Sequence, residues 1–578
     1  MKHILTLASL AIIASGAYAQ SVADAGVMGQ SELRGTARFM SMAGAFGALG
    51  GDLSTLSQNP AGIGIYRSNE LGFTVALDNY SNKAESRGVS ETTNNTKFNL
   101  NNIGGVATLK LPSSVVPNIN FGFTYNKAVS FNRKYKGTIP GLTNSLSNYI
   151  ADISNSYDLT AGDVTSTDNY DPYKPGYNDF AAPWISILGY DSYLTDPELM
   201  ADGSTNWYGQ YGDGTSSTGY FDMQEKGSVD EYNIAIGGNI KNIVYWGMDF
   251  GITTIDYQVS SMWQEDLKDA YVFNPTEGVM AVQNMDASWR LNNLYKLNGT
   301  GFTYKLGVIV KPIQELRLGF SFSTPTYYNL TQHFYDQSID YSYPFPDGNG
   351  YAVTNNGFQT APEMSYRTPW KFTTSIAGVI GNKFIISADY EWAGFKTMRY
   401  GQPHDWGYTD DYYWDDWGDW GDWDYPYYYA PGAPRAKQTR AGYFEDDYYH
   451  ESNAGIRSVY RASNTLRVGA EFRPLSFLSL RAGYSFTSSP IREEVKDGRV
   501  EMLMSGCQPA YTLDNNTNYV TCGVGFRSGG FYADLAYVYK NKSSEYYPFS
   551  PVTTPGAPNK SKLSLINNQV ALSMGWRF

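Results

Sequence analysis

Ile566-Asn-Asn-Gln-Val-Ala-Leu-Ser-Met-Gly-Trp-Arg-Phe578, at the end of the chain, changes character residue by residue. Ile566, Val570, Leu572, Met574 and Trp576 are apolar, with Asn568 as the one interruption, while Asn567, Gln569, Ala571, Ser573, Gly575 and Arg577 are small or polar. A period of two is a β-strand with one greasy face. A soluble sandwich would show the same, so one copy leaves the class open. The pattern recurs at Ile119–Tyr125, Leu316–Phe322, Phe384–Trp392 and Leu466–Phe472, with Arg317, Asp389, Glu391, Arg467 and Glu471 on the polar faces. A dry core would not tolerate such charges unpaired. A wet interior inside a lipid-facing wall accounts for both faces.

The pattern predicts strands starting near residues 70, 101, 118, 229, 243, 299, 314, 366, 383, 462, 476, 518, 531 and 563. Short links such as Lys241-Asn242, Gly381-Asn382 and Ser528–Gly530 alternate with long ones, roughly 132–227, 260–297, 327–364, 397–460 and 488–517. Short turns on one side and long loops on the other fit an outer-membrane barrel, and an even strand count puts both termini in the periplasm. The expected fold is all-β: a 14-stranded antiparallel transmembrane β-barrel over 69–578. The terminal Phe578 resembles the end of the closing strand in such barrels.

Composition agrees. The chain has 578 residues, 43 Lys+Arg against 56 Asp+Glu and a formal net charge of -13, which argues against nucleic acid as a partner. Only 17% of residues are charged, below the roughly 25% usual for soluble domains. No mature stretch reaches the roughly 20 apolar residues of a spanning helix. Lys2 and His3, the apolar run Ile4–Ala14 and Ala17-Tyr18-Ala19 read as a signal peptide over 1–19, with export to the outer membrane of a Gram-negative bacterium.

Residues 20–68 are not strand-like. Leu33 to Gly51 is small, apolar and Gly-rich, and leads through Asp52 into Asn59-Pro60-Ala61-Gly62. Two short helical pieces are expected, with Asp52 as an N-cap and Pro60 ending the second. Phe39, Met40, Met42, Phe46 and Leu49 need a host, which favours a plug in the lumen over a leader in the periplasm. The run from Gly35 to Gly62 just before the first strand resembles the amino-terminal hatch of the FadL/TodX (OMPP1) family. Fourteen strands, the strand end at Thr324-Pro325-Thr326 and Phe578 fit as well. The resemblance implies passive outer-membrane uptake of hydrophobic small molecules, such as long-chain fatty acids or aromatic hydrocarbons, without a cofactor or catalysis. It also implies a hatch closing the lumen and a kinked third strand that opens the wall.

On that reading Asn59, Pro60, Ala61 and Gly62 are the gating candidates, or simply a turn that starts the barrel. Phe39, Met40, Met42, Phe46 and Leu49 are the candidate substrate contacts. Gly122, mid-strand in the third strand, is the candidate kink, with close packing as the alternative. The lumen charges Arg317, Asp389, Glu391, Arg467, Glu471 and Arg481 form an ion-pair ladder or hold a carboxylate head group. Cys507 and Cys522, two thiols in an exported chain, predict a disulfide. The stretch 401–430, with eight Asp and twelve Trp or Tyr, is a solvated loop or a capture surface for apolar material, sugar or a cation. The other expected partners are outer-membrane lipid and lipopolysaccharide, around a monomer. The alternatives are a surface receptor or adhesin anchored by its barrel, and a hemin receptor using His333, His404, His450 or tyrosines as ligands. No nucleophile and base pair is evident, and no metal site is expected.

Overall fold

A computed structural model describes residues 21–578 apart from 166–182, 275–278, 344–348, 354–357, 361–362, 382, 402–448, 499, 501, 503–507 and 551–558. The alternation builds fourteen antiparallel strands: β1 (Glu70–Ser86), β2 (Val89–Lys110), β3 (Asn118–Pro140), β4 (Ser216–Ile240), β5 (Val244–Asn274), β6 (Val279–Val310) and β7 (Leu316–Ser323, resuming as Tyr327–Ser342). They continue as β8 (Met364–Arg367, then Lys371–Ile380), β9 (Phe384–Ala393, then Arg399–Gly401), β10 (Ser463–Leu475), β11 (Leu478–Thr487), β12 (Tyr511–Ser528), β13 (Phe531–Tyr547) and β14 (Ser561–Arg577). β1 pairs with β14 from Glu70↔Arg577 to Glu85↔Lys562, which closes the barrel and leaves no edge. β7 and β8 break at Pro325 and Pro369, where the ladder loses a donor.

The lipid-facing band is marked by its upper rim. The outward tyrosines Tyr390, Tyr484 and Tyr537 donate to Asn464, Asn518 and Asn568 on the next strand at 2.7, 2.8 and 2.6 Å. Aromatic rings with a polar tip are at home in this interface. Asn568, the interruption in the closing strand, belongs to it.

Several strands run well past that rim. β5 has 31 residues, against the roughly ten that cross a bilayer. The expected loop 260–297 is therefore mostly a tall hairpin of β5 and β6. Above the rim the faces exchange character while the period stays at two. In β5, Asp249, Gly251 and Thr253 face inward below, but Ile255, Tyr257, Val259, Trp263 and Leu267 face inward above, with Asp256, Gln258 and Gln264 outside. Outside the bilayer the solvent is water, so the greasy face turns into the barrel.

That upper core is completed by the lid and by the start of the hatch. The lid, between β3 and β4, holds a helix at Leu146–Ser156, a second at Trp184–Asp191, and a small hairpin, Asp196–Leu199 with Thr205–Tyr208. Leu146, Ile150, Trp184 and Leu188 pack with Val22, Ala25 and Met28.

Candidate functional site

The hatch lies inside the lumen as α1 (Val22–Met28), α2 (Ala37–Ser41), α3 (Thr55–Gln58) and a 3-10 turn, Pro60–Ile65. Its ends are capped locally. The Ser21 hydroxyl accepts from the Ala23 and Asp24 N–H groups, and the Thr36 hydroxyl accepts from Phe39 N–H. Asp52 caps the turn into α3, accepting from Ser54 N–H at 3.0 Å and from the Thr36 hydroxyl at 2.7 Å. Phe39, Met40, Met42, Phe46 and Leu49 are all at most 7% exposed, packed against a wall of Ala76, Ala377, Ala536 and Ala571. Each such burial is worth about 1.5–3 kcal/mol. None of the five lines the cavity described below, so their place is the joint between hatch and wall.

Asn59-Pro60-Ala61-Gly62 is pressed against wall glycines. Asn59 caps the 3-10 turn by accepting from Ala61 N–H, and its amide donates to the Gly47 carbonyl at 2.6 Å. Gly237, Gly247 and Gly307 stand side by side on β4, β5 and β6. A Cβ on Gly307 would lie 1.9 Å from Asn59 Oδ1, and one on Gly247 2.1 Å from the Pro60 carbonyl oxygen. Gly122 plays the same part. It pairs in unbroken register with Val106 and Ala235, and a Cβ there would meet Leu56 and Ile63 of the hatch. The expected kink is corrected accordingly: the irregularity in β3 falls between Lys127 and Val129.

At that irregularity the wall has a seam. β2 pairs with β3 only from Asn102↔Asn126 to Lys110↔Asn118. Beyond Asn126, next to Tyr125, whose hydroxyl donates to Asp230 of β4 at 2.6 Å, β3 pairs with β4 alone, and Val89–Leu100 of β2 pairs with β1 alone. Side chains bridge the seam, as Asn95 donates to Asn132 at 2.9 Å and Thr138 to Glu91 at 3.0 Å. From inside, Glu32 of the hatch takes up the loose edge: its N–H donates to the Ala128 carbonyl, and its carboxylate accepts from Ser130 N–H at 3.0 Å. Arg34 (2.8 Å) and Lys540 (2.5 Å) hold that carboxylate.

A cavity of about 130 Å³ lies between α1 and the upper core. Val27, Met223, Val259, Phe395 and Ile491 give it apolar walls, and Glu32 lies on its surface. Most of its charges are paired: Arg133 sits between Glu225 (2.6 Å) and Asp514 (3.0 Å), Lys542 meets Asp514 (2.5 Å), and Glu391 meets Arg467 (2.9 Å). Lys371 is different. It lines the cavity, is half-buried, and its ammonium makes no direct hydrogen bond or ion pair among the described residues, with Glu391 acting on it only through space.

The remaining lumen charges divide. Arg481 bridges Glu471 (2.7 Å) and Asp534 (2.6 Å), as a ladder would. Asp389 and Arg317 hold the hatch backbone, accepting from Gly47 N–H at 2.9 Å and donating to the Leu49 carbonyl at 2.8 Å. Sequence reasoning missed Glu32, Arg34 and Lys371. Charged residues beside an otherwise greasy plug were the available signal for the first two.

The expected disulfide is not formed. Cys522 is a free, exposed thiol on the lipid side of β12. It sits eleven residues inside a strand that starts at Tyr511, about 36 Å along it. Cys507 lies outside the described residues, and the four residues to Tyr511 span at most about 14 Å. Bridged Cα atoms must approach within about 7 Å. The signal peptide and the stretch from 402 to 430 also lie outside the described residues. His333 and His450 do not line the cavity, and no group of three or more His, Cys, Asp or Glu among the described residues is placed to hold a metal.

A closed fourteen-stranded barrel with a plugged lumen, an apolar band and a tyrosine rim is an outer-membrane transport barrel. Residues 233–502, a little under half of the chain, match the family model described as outer membrane protein transport protein (OMPP1/FadL/TodX). Solved structures it resembles include a Pseudomonas aeruginosa FadL homologue (11% identity, TM-score 0.48, covering 95% of this chain and 100% of that one). Others are the P. putida toluene transporter TodX (11%, 0.44, 95% and 99%) and the Ralstonia pickettii toluene transporter TbuX (12%, 0.42, 94% and 99%). At these scores they carry no argument about cargo. A search of curated proteins finds no match.

Proposed function

We propose that the protein is a passive channel for hydrophobic small molecules that carry a charged head, with the hatch as its gate. The observation that carries this is Lys371. A half-buried ammonium that makes no direct hydrogen bond or ion pair, in a cavity with apolar walls, suits an anionic head whose tail lies against Val27, Val259 and Phe395. A plain hydrocarbon would leave that lysine unsatisfied, so of the two cargo classes the fatty-acid type is favoured over the aromatic hydrocarbon. Each methylene withdrawn from water adds about 0.8 kcal/mol, enough to concentrate a poorly soluble cargo without a cofactor.

The exit we infer is the seam between β2 and β3, because the cavity surface includes Glu32, the residue that closes it from inside. Leaving sideways beside the rim returns the cargo to lipid rather than to water. Asn59-Pro60-Ala61-Gly62 then acts as the seat on which the hatch settles or lifts.

The test compares binding of dodecanoate and dodecanol to the purified full-length protein and to Lys371→Met. The acid should bind the wild type more tightly, and the variant should lose about tenfold for the acid alone, as expected for a charge-assisted hydrogen bond. Equal binding of acid and alcohol by the wild type would overturn the proposal.

A further inference from the structure

On the periplasmic side of the hatch and against it, the lumen gathers more arginines than carboxylates. Arg38, Arg317, Arg473, Arg481, Arg527 and Arg577 share this level with Glu70, Glu471, Asp534 and Asp52. Glu471 alone receives three guanidiniums: Arg38 at 3.3 Å, Arg473 at 2.5 Å and Arg481 at 2.7 Å. Arg38 and Arg577 share the Gly51 carbonyl, each at 3.2 Å. Arg317 spends one amino group on the Leu49 carbonyl, while its Nε is buried without a partner.

Arg527 has the least support of all. Its side chain makes no hydrogen bond or ion pair among the described residues, and it stands two residues before the periplasmic turn at Gly529-Gly530. It faces Tyr532 across the β12–β13 ladder, and the Arg577 guanidinium lies 5.7 Å from the centre of that ring, so two guanidiniums flank one side chain, with Asp534 and Arg38 also nearby. Like charges gathered at the mouth of a barrel focus a positive potential there. The guanidinium fork matches the oxygens of a carboxylate or phosphate group, often in pairs.

We propose that this mouth is an oxyanion site, which takes a phosphate group between Arg527 and the Arg38–Arg577 pair below the Leu49–Gly51 turn. The phosphate comes from a lipid head group of the inner leaflet or from the periplasm as free phosphate. Bound there, it neutralises the arginines that hold the hatch turn by its carbonyls, and so steadies the closed hatch. The site is separate from the cavity around Lys371 and does not depend on what the channel carries.

The experiment uses the full-length protein in nanodiscs of phosphatidylcholine, with or without phosphatidylglycerol. Inorganic phosphate is titrated against chloride at constant ionic strength, and the unfolding midpoint and lipids retained in native mass spectrometry are read. In the phosphatidylcholine discs the wild-type midpoint should rise saturably with phosphate. Arg527→Gln should need about tenfold more phosphate, and Arg527→Lys an intermediate amount. Retention of phosphatidylglycerol by the wild type but not by Arg527→Gln identifies the lipid as the source. A phosphate response without lipid retention identifies the free anion. Identical behaviour of wild type and Arg527→Gln in both arms, or no response at all, overturns the proposal. Because the Arg527 side chain supports no neighbour, neither variant removes a contact the fold uses.

Discussion

Glu32 of the hatch accepts a hydrogen bond from the backbone N–H of Ser130 at 3.0 Å, just past the irregularity at which β3 leaves its register. A strand edge buried away from water is costly, because each unpaired backbone group must find a partner, and Ser130 is 4% exposed. Here a side chain from the plug supplies it, so the position of the hatch and the closure of the wall are tied together.

Glu32→Ala should therefore loosen both. It removes the Ser130 acceptor and leaves Lys540 and Arg34 short of a counter-charge, a loss of about 3 kcal/mol by analogy with broken buried pairs. Hydrogen exchange should speed up at residues 128–131 and 29–34, while strands β10 and β11 on the far wall keep their protection. Unchanged exchange at Ser130 would show that the seam does not depend on the hatch.

The glycine seat predicts a graded series. Gly307→Ala puts a methyl group 1.9 Å from Asn59 Oδ1, against a rigid cap, and should cost about 1–3 kcal/mol of stability. Gly122→Ala meets only the ends of Leu56 and Ile63, which can move, and should cost less. Gly378→Ala, whose new Cβ would touch only Ile386 at 3.5 Å, is the control and should be neutral. Thermal unfolding of the three variants ranks them. A Gly378 variant as unstable as the Gly307 variant would sink the account.

The lid should be sensitive to pH. Burial pushes Asp196 up to about 7, with help from Glu198 alongside, and pushes Asp152 up to about 6. A carboxyl whose folded value lies above its unfolded one binds more protons when folded, so its folded form is favoured at low pH. Lid stability should then be greatest near pH 4 and fall as pH rises from about 4 to about 7, through the folded values. Hydrogen exchange of residues 142–160 and 184–208, corrected for intrinsic rate, should be slower at pH 5 than at pH 8. Asp196→Asn should flatten the difference, and an unchanged slope in that variant would contradict the assignment.

The periplasmic half of this protein was legible from residues alone. The predicted starts at 70, 118, 383 and 531, which follow the amino-terminal segment or a short turn, lie within one residue of β1, β3, β9 and β13. Lipid outside a wet lumen imposes apolar-out alternation, and short turns leave little room for error. The extracellular ends were harder to see, since the expected starts at 229 and 299 fall inside β4 and β6. There the period persists but the greasy face turns inward, as at Ile255–Leu267, and a strand with polar residues outside reads like loop.

Local pattern thus determined the class of fold, the strand count and the presence of a greasy plug, because each follows from a residue's distance to water or lipid. Which residues meet was settled by closure of the barrel. That closure brought Glu32 to Ser130, separated by 98 positions, set Asn59 against Gly307, and left the side chains of Lys371 and Arg527 without a direct hydrogen bond or ion pair among the described residues. It also set Cys522 on the lipid side, where no disulfide forms. Contacts between distant segments depend on register and lumen shape, and neither is encoded in any single stretch of the chain.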